Sequence, residues 1–599
     1  MSPISQAARP FPNSPQKGVD FLAPTTLATG IFICLTVFIG LSPAIFGNYA
    51  IFDDCRFLLD YGWEGKSHFS GVMIAEGRPL YALLAEAGFK QLVWISGLRW
   101  LRLSAVLFAV AAVLFLFHCS RKKVGPMTGA AIGAAVILSP GGAIYAFWAA
   151  CFPYLGAVLL SLIGGWLWTR PSGWKGRMAG IILTLAALFI YQPAALFFLL
   201  GGIVRHSGSE TKAPSLHDPR ILGIVGVLLS LVIYFILFRG YMVWFAIEDN
   251  RSGRLDLFGA FERTGVLFTA LLPQVFKNWG ALFGSVPSLL FQLVQATGVA
   301  LYIWDRRTTW SAWAASTMIV IALLGVAAIP FLISGEGLRP SRILAPLFAV
   351  IGGLTVLGWH RFLEPFKWAR PLVMGAFCLL LAGFTFAGGY WGHVEPRERE
   401  TAALRQAAAE EAEALPPGLT IIRPSARTRA NDHLYHVYEY GIYELTVPMF
   451  SVEWAILNLL EAEGMLPGDL EGTAPINAVD VLLIAPDAAT VPPIYPVIDM
   501  RRVLQGLDVS PIPFSTGEKR VHERIGEVAF HPPAYFISDW FGMFYELNHV
   551  WIRHQEHGWL SWGSESAADP VVAYDAAGRR LEFFRPNDPA SGEQTPAAQ

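Results

Sequence analysis

The sequence predicts a mainly α protein: a polytopic transmembrane helical bundle of about 11 spans, followed by a C-terminal soluble α/β domain. Three observations lead there. Hydrophobic residues fill 54% of the 599 positions and charged residues only 15%, against about 25% charged in an average globular chain. Mean hydropathy is +0.45, with 20 Trp. The apolar residues also gather into runs near the roughly 20 residues that cross a hydrocarbon layer, and these runs stop before residue 392. The 44 basic and 46 acidic residues leave a net charge of −2. No basic surface for nucleic acid is expected, so that partner class is set aside.

Residues 1–23 are polar and proline-rich and are expected to form a disordered cytoplasmic tail. The apolar run 24–46 is too long for the core of a cleaved signal and lacks a small-x-small exit, so it predicts an uncleaved first span. Further runs lie near 101–118, 127–147, 151–168, 178–204, 221–239, 283–304, 311–333, 343–359 and 371–391. As one helix, 178–204 would be about 40 Å long. Tyr191-Gln192-Pro193 divides it into two legs, which predicts a hairpin. With the hairpin, the inner-facing segments hold 16 Lys and Arg and the outer loops before the C-terminal domain hold 11, so the positive-inside rule is obeyed. The transmembrane domain is thus expected over 24–391 in a bacterial inner (plasma) membrane, with loops 47–99 and 240–282 and everything after 391 on the periplasmic side.

Residues 392–585 change character and predict a periplasmic soluble α/β domain. Helical charge pairs occur over 395–415, and β-like runs such as Leu419–Ile422 and Val479–Ile484 follow. The tail 586–599 is expected to be disordered. Five cysteines, Cys34, Cys55, Cys119, Cys151 and Cys378, have no paired spacing, so neither a disulfide nor a cysteine metal site is expected. His549, His554 and His557 with Glu546 are offset by 5 and 3, which does not place the three histidines on one helical face.

Chemistry is expected in the outer loops. The spans hold almost no central charge, which disfavours a coupled transporter or flippase of lipid-linked sugars. Asp53 and Asp54 follow the first span directly, where partial desolvation raises a carboxylate pKa and suits it to general-base work. An acidic pair also caps helices, the plainer role. Glu76 and Arg78 stand in the segment Glu76-Gly77-Arg78-Pro79-Leu80, and an arginine fork there suits a phosphate or a lipid headgroup. Arg339 and Arg342 place positive charge where the orientation rule asks for little. Tyr191 and Gln192, at the hairpin tip, are able to hydrogen-bond a polar head group or simply to make the turn. Aromatic residues of loop 240–282, near Glu248, Asp249, Arg251 and Arg254, fit an interfacial belt better than a sugar platform.

The acidic pair after the first span, Gly77-Arg78-Pro79-Leu80 and Tyr191-Gln192-Pro193 together resemble the serotype-converting O-antigen glucosyltransferases over about residues 24–360. Cys55-Arg56 follow the pair where that family often carries Trp or Gly. The resemblance implies the C-type (GT-C) glycosyltransferase superfamily: polytopic enzymes taking a sugar, such as glucose, from a polyprenyl-phosphate carrier to an envelope glycan. Lipopolysaccharide O-antigen is one such acceptor. An apolar tail in lipid, an anionic phosphate at headgroup depth and a sugar beyond it call for a lipid-facing groove, then cations, then a carboxylate. Asp53 or Asp54 would deprotonate the acceptor, and Arg78, Arg339 or Arg342 would stabilise the leaving phosphate. No cofactor is required, although a divalent cation is able to bridge phosphate and carboxylates. A lipid-linked glycan polymerase or ligase would share the spans and arginines without needing the acidic pair. A non-catalytic scaffold for cell-wall polymer would need only the outward domain.

Overall fold

The computed structural model describes residues 24–411 apart from 52, 64–67, 172, 208–216, 246–258, 280–284, 305–308 and 334–341. Beyond 411 it describes thirteen β-strands between Leu419 and Phe583 and residues 457, 458 and 461. The described residues fall into two compact units that divide after Glu398.

The first unit is helical, and the chain is a multi-pass membrane protein. Among the described residues eight helices are long and apolar enough to cross a membrane: Pro24–Phe46, Ile95–Val124, Ala149–Thr169, Gly173–Ile190, Pro219–Trp244, Val286–Ile303, Trp310–Ala327 and Ala369–Gln406. Pro126–Ile137 and Pro140–Phe147, bent by 65°, make a ninth if counted as one span. Pro140 lacks the N–H that would continue the ladder. The Val136 carbonyl it leaves free accepts from Ser139 Oγ at 3.0 Å; Gly142 N donates to Ser139 Oγ at 3.1 Å, and the Leu138 carbonyl accepts from Thr385 Oγ1 at 2.8 Å, so the break is satisfied inside protein.

The remaining two of the expected eleven are helical but fall outside that set. Ala345–Phe362 carries His360 and Arg361 in its last turn and is buried continuously from Ala345 to Gly358. A helix apolar on every side belongs inside a bundle. The other is the second leg of the Tyr191 hairpin, in three short pieces: Gln192–Ala195, a 3-10 turn at Leu196–Phe198, and Leu199–His206. Tyr191 itself is extended, at φ −160° and ψ 115°. The chain reverses there: Gly180 on the first leg packs on Gly164, and Gly201 on the second packs on Gly165, of Phe152–Thr169. Tyr191, at the tip, stacks on Tyr154 near the start of that same helix, with ring centroids 3.9 Å apart.

In the second unit Leu419–Pro424 lies between Val479–Ile484 and Val497–Asp499, parallel to both. Ala426–Thr428 pairs with Val509–Pro511. Eight strands from Glu518–His522 to Arg580–Phe583 then form an antiparallel sheet in which chain neighbours are sheet neighbours. Three described strands thus pair in parallel, and the eight-stranded antiparallel meander was not anticipated there.

Candidate functional site

The site begins where the first span ends. Arg102, near the start of the Leu98–Val124 helix, is fully buried and donates to the carbonyls of Ala44 at 2.6 Å, Tyr49 at 2.8 Å and Gly47 at 3.0 Å. Its guanidinium carbon stands 4.1 Å from the Tyr49 ring centroid, and Tyr49 Oη donates to the Phe147 carbonyl at 2.8 Å. One cation thus satisfies three carbonyls that the chain leaves unpaired on leaving its helix.

This clamp delivers Asp53 and Asp54, at the start of the Asp53–Phe57 helix, into different surroundings. Asp54 is 0% exposed; its Oδ2 accepts from Ile51 N at 3.0 Å and its Oδ1 from Ala150 N at 2.6 Å. It ties the loop to the segment between Pro140–Phe147 and Phe152–Thr169. Burial raises its pKa to about 7, opposed by Arg102 and by the two backbone N–H groups. Asp53 is half-buried. Its pKa is raised first by desolvation and then by Glu76, and is lowered by Arg342, Arg56 and Arg78. Arg342 is the cation that acts on it most strongly.

Glu76 and Arg78 flank Gly77, whose φ of 81° makes the turn. Arg78 Nη1 lies 3.4 Å from Glu76 Oε2, its Nε donates to Gln192 Oε1 at 3.3 Å, and its Cζ is 5.2 Å from the Tyr191 ring centroid. Arg342 places its Cζ 4.3 Å from the Trp148 ring, while its carbonyl accepts from Tyr145 Oη at 2.6 Å. Four tyrosines join the two arginines. Tyr154 stacks on Tyr191 and meets Tyr145 edge-on at 5.5 Å and Tyr81 at 5.4 Å, and Tyr81 Oη donates to the Ala150 carbonyl at 2.9 Å.

Asp53, Asp54, Glu76, Arg78, Tyr191, Gln192 and Arg342, singled out across nearly 300 positions, therefore share one end of the bundle. Arg339 lies outside the described residues, as do Glu248, Asp249, Arg251, Arg254, His549 and His557. Sequence reasoning missed Arg102, Tyr81, Tyr145, Trp148 and Tyr154, which sit in or beside apolar runs. The available signal was that a buried tyrosine hydroxyl or arginine requires a polar partner. Among the described residues no group of three or more His, Cys, Asp and Glu is placed to hold a metal ion.

No family model and no curated protein matches the chain. Among solved structures, ArnT from Cupriavidus metallidurans bound to undecaprenyl phosphate is similar at 13% identity and a TM-score of 0.36, covering 76% of this chain and 90% of that one. The Archaeoglobus fulgidus oligosaccharyltransferase tethered with an acceptor peptide gives 10% identity and a TM-score of 0.35, over 75% and 72%. AglB from Archaeoglobus fulgidus, in complex with an inhibitory peptide and a dolichol-phosphate, gives 11% and 0.31, over 70% and 64%. Likenesses this distant carry no weight for the chemistry, which rests on the residues described above.

Proposed function

We propose that the protein is a GT-C-type membrane glycosyltransferase that moves a hexose, such as glucose, from a polyprenyl-phosphate carrier to an envelope glycan on the periplasmic side of a bacterial inner membrane. The supporting observation is the convergence of a half-buried carboxylate, Asp53, with two arginines, Arg78 and Arg342, drawn from separate parts of the chain. A carrier phosphate at headgroup depth needs such cations, and an acceptor hydroxyl needs such a base.

In this reaction Asp53 takes the proton of the acceptor hydroxyl while that oxygen bonds to the anomeric carbon from the face opposite the phosphate. The bond from the anomeric carbon to the phosphate oxygen breaks, its electron pair stays on the phosphate, and configuration inverts. Arg78 and Arg342 stabilise the charge that grows on the leaving phosphate. Their fixed contacts matter because donors already aimed at developing charge need no reorganisation when it forms. Asp54 does not act as the base, since both its oxygens are used by backbone N–H groups; it holds Asp53 in place. Tyr191 supports Arg78 from one face, and Gln192 fixes its Nε edge.

Surface glycans from cells with and without the gene, compared by mass and linkage, test the function; identical glycans would overturn it. Initial rates of labelled-sugar transfer in membranes test the base. Asp53→Asn is expected to lower them by about two to four decades, whereas an unchanged rate would remove Asp53 from that role.

A further inference from the structure

Tyr234 lies within the Pro219–Trp244 helix, in an apolar run that gives no hint of a role. Its hydroxyl nevertheless sits in a directional chain that ends on Arg78. Gln192 Nε2 donates to Tyr234 Oη at 2.8 Å and to the Glu76 carbonyl at 3.3 Å, and Tyr234 Oη donates onward to the Gly77 carbonyl at 3.0 Å. The other end of the same amide, Gln192 Oε1, accepts from Arg78 Nε. The packing is close: a Cβ on Gly77 would fall 2.2 Å from the Tyr234 hydroxyl. The phenol ring is itself held between Phe189, at 5.2 Å, and Phe238, at 6.0 Å.

We propose that Tyr234 is a positioning residue for Arg78: by orienting the Gln192 amide it fixes the guanidinium plane that meets the carrier phosphate. This rests on the lipid-phosphate reading given above. A primary amide has donors at one end and an acceptor at the other. With the tyrosine oxygen accepting, the amino group faces Tyr234 and the carbonyl faces Arg78. A phenylalanine would remove that acceptor and also take the donor from the Gly77 carbonyl. The amide would then be able to flip, setting its N–H groups against the Nε–H of Arg78. Nε is held by Gln192, Nη1 by Glu76 and the face by Tyr191; Nη2 takes part in none of these contacts and is the donor such an arrangement aims at an anion. A guanidinium fixed before the ligand arrives loses less freedom on binding than a mobile one.

The test uses the full-length protein in lipid nanodiscs and measures binding of undecaprenyl phosphate, with undecaprenol, which lacks the phosphate, as control. Tyr234→Phe is expected to weaken undecaprenyl phosphate binding about tenfold, in line with loss of a hydrogen-bonded support to a charged group. Undecaprenol binding and the thermal midpoint should stay close to wild type. Gln192→Ala should produce the same loss, and the double variant should bind no more weakly than Gln192→Ala alone, because both changes break one chain. Wild-type binding by Tyr234→Phe, losses that multiply in the double variant, or an equal loss for undecaprenol would each overturn the positioning role. Unchanged binding by Arg78→Gln would instead overturn the underlying lipid-phosphate reading, and the positioning role with it.

Discussion

Asp54 is wholly buried with both oxygens accepting backbone N–H groups, whereas its neighbour Asp53 keeps some exposure and feels the charges of Arg342, Glu76, Arg56 and Arg78. The two asparagine variants should therefore fail differently. Asp54→Asn keeps one acceptor but sets an amide N–H against Ile51 N or Ala150 N, so a cost of about 1–3 kcal/mol is expected in unfolding measurements. Asp53→Asn should leave the unfolding midpoint nearly unchanged while transfer is lost. Titration separates them again. Burial holds Asp54 at about 7, while an aspartate in the unfolded chain titrates near about 4. Between those values the folded protein keeps a proton that the unfolded chain has lost, so Asp54 makes stability fall as pH rises through this window and level off above it. Thermal midpoints measured from about pH 4 to about pH 8 should show that slope in the wild type and lose it in Asp54→Asn. For Asp53, raised by desolvation, the ionised form is the base, so transfer should climb with pH along a limb lying above the usual carboxylate range. The adjacent pair was legible in the sequence, but the division of labour was not. It depends on Ala150 N, 96 positions away, and on Arg102, which reads in sequence as an ordinary basic residue near a span end.

The hairpin and the loop clamp are the elements that assemble the site. Tyr191-Gln192-Pro193 was readable because polar residues before a proline interrupt an otherwise apolar run. What makes the second leg fit is less visible: Gly165 and Gly201 touch so closely that a Cβ on Gly201 would lie 2.3 Å from the Gly165 carbonyl carbon. Small residues let helices meet at backbone distance inside a membrane. Gly201→Ala should therefore destabilise by about 1–3 kcal/mol through overpacking, read as a lower thermal midpoint in detergent. An unchanged midpoint would show that the second leg is not held against Phe152–Thr169 at this point. The loop clamp should cost more to break. Arg102→Ala strands three carbonyls and removes the cation facing Asp54, for which about 3–5 kcal/mol is the expected loss on breaking a buried charged contact. In the second unit the strands Leu419–Pro424 and Val479–Ile484 were marked by β-branched, apolar runs ending at proline. The antiparallel meander was not, because its strands are short and carry mixed polar and aromatic residues rather than a clean alternation.

Across the whole bundle, exposed tryptophans mark two ends. Trp100 and Trp244 lie at helix ends on the side of the site, with Trp391 within the long Ala369–Gln406 helix, and Trp174, Trp304, Trp310 and Trp368 lie at helix ends on the opposite side, as interfacial belts do. Loop charges favour the second end as cytoplasmic. A cysteine introduced at the exposed Lys90 should then react with an impermeant reagent added outside the inner membrane, and one at the exposed Lys175 should not. The reverse pattern would put the site on the wrong side for an envelope acceptor. Composition made the class and the span positions legible because lipid solvation demands long apolar runs whatever the fold. It could not reveal that Ala345–Phe362 is the buried centre, since lipid-facing and core-facing helices are equally apolar. The most direct test is a structure of the protein in nanodiscs with undecaprenyl phosphate bound. The phosphate is expected within hydrogen-bonding distance of Arg78 or Arg342 and beside Asp53; a phosphate resting at the opposite end of the bundle, or out of reach of both arginines, would contradict the assignment.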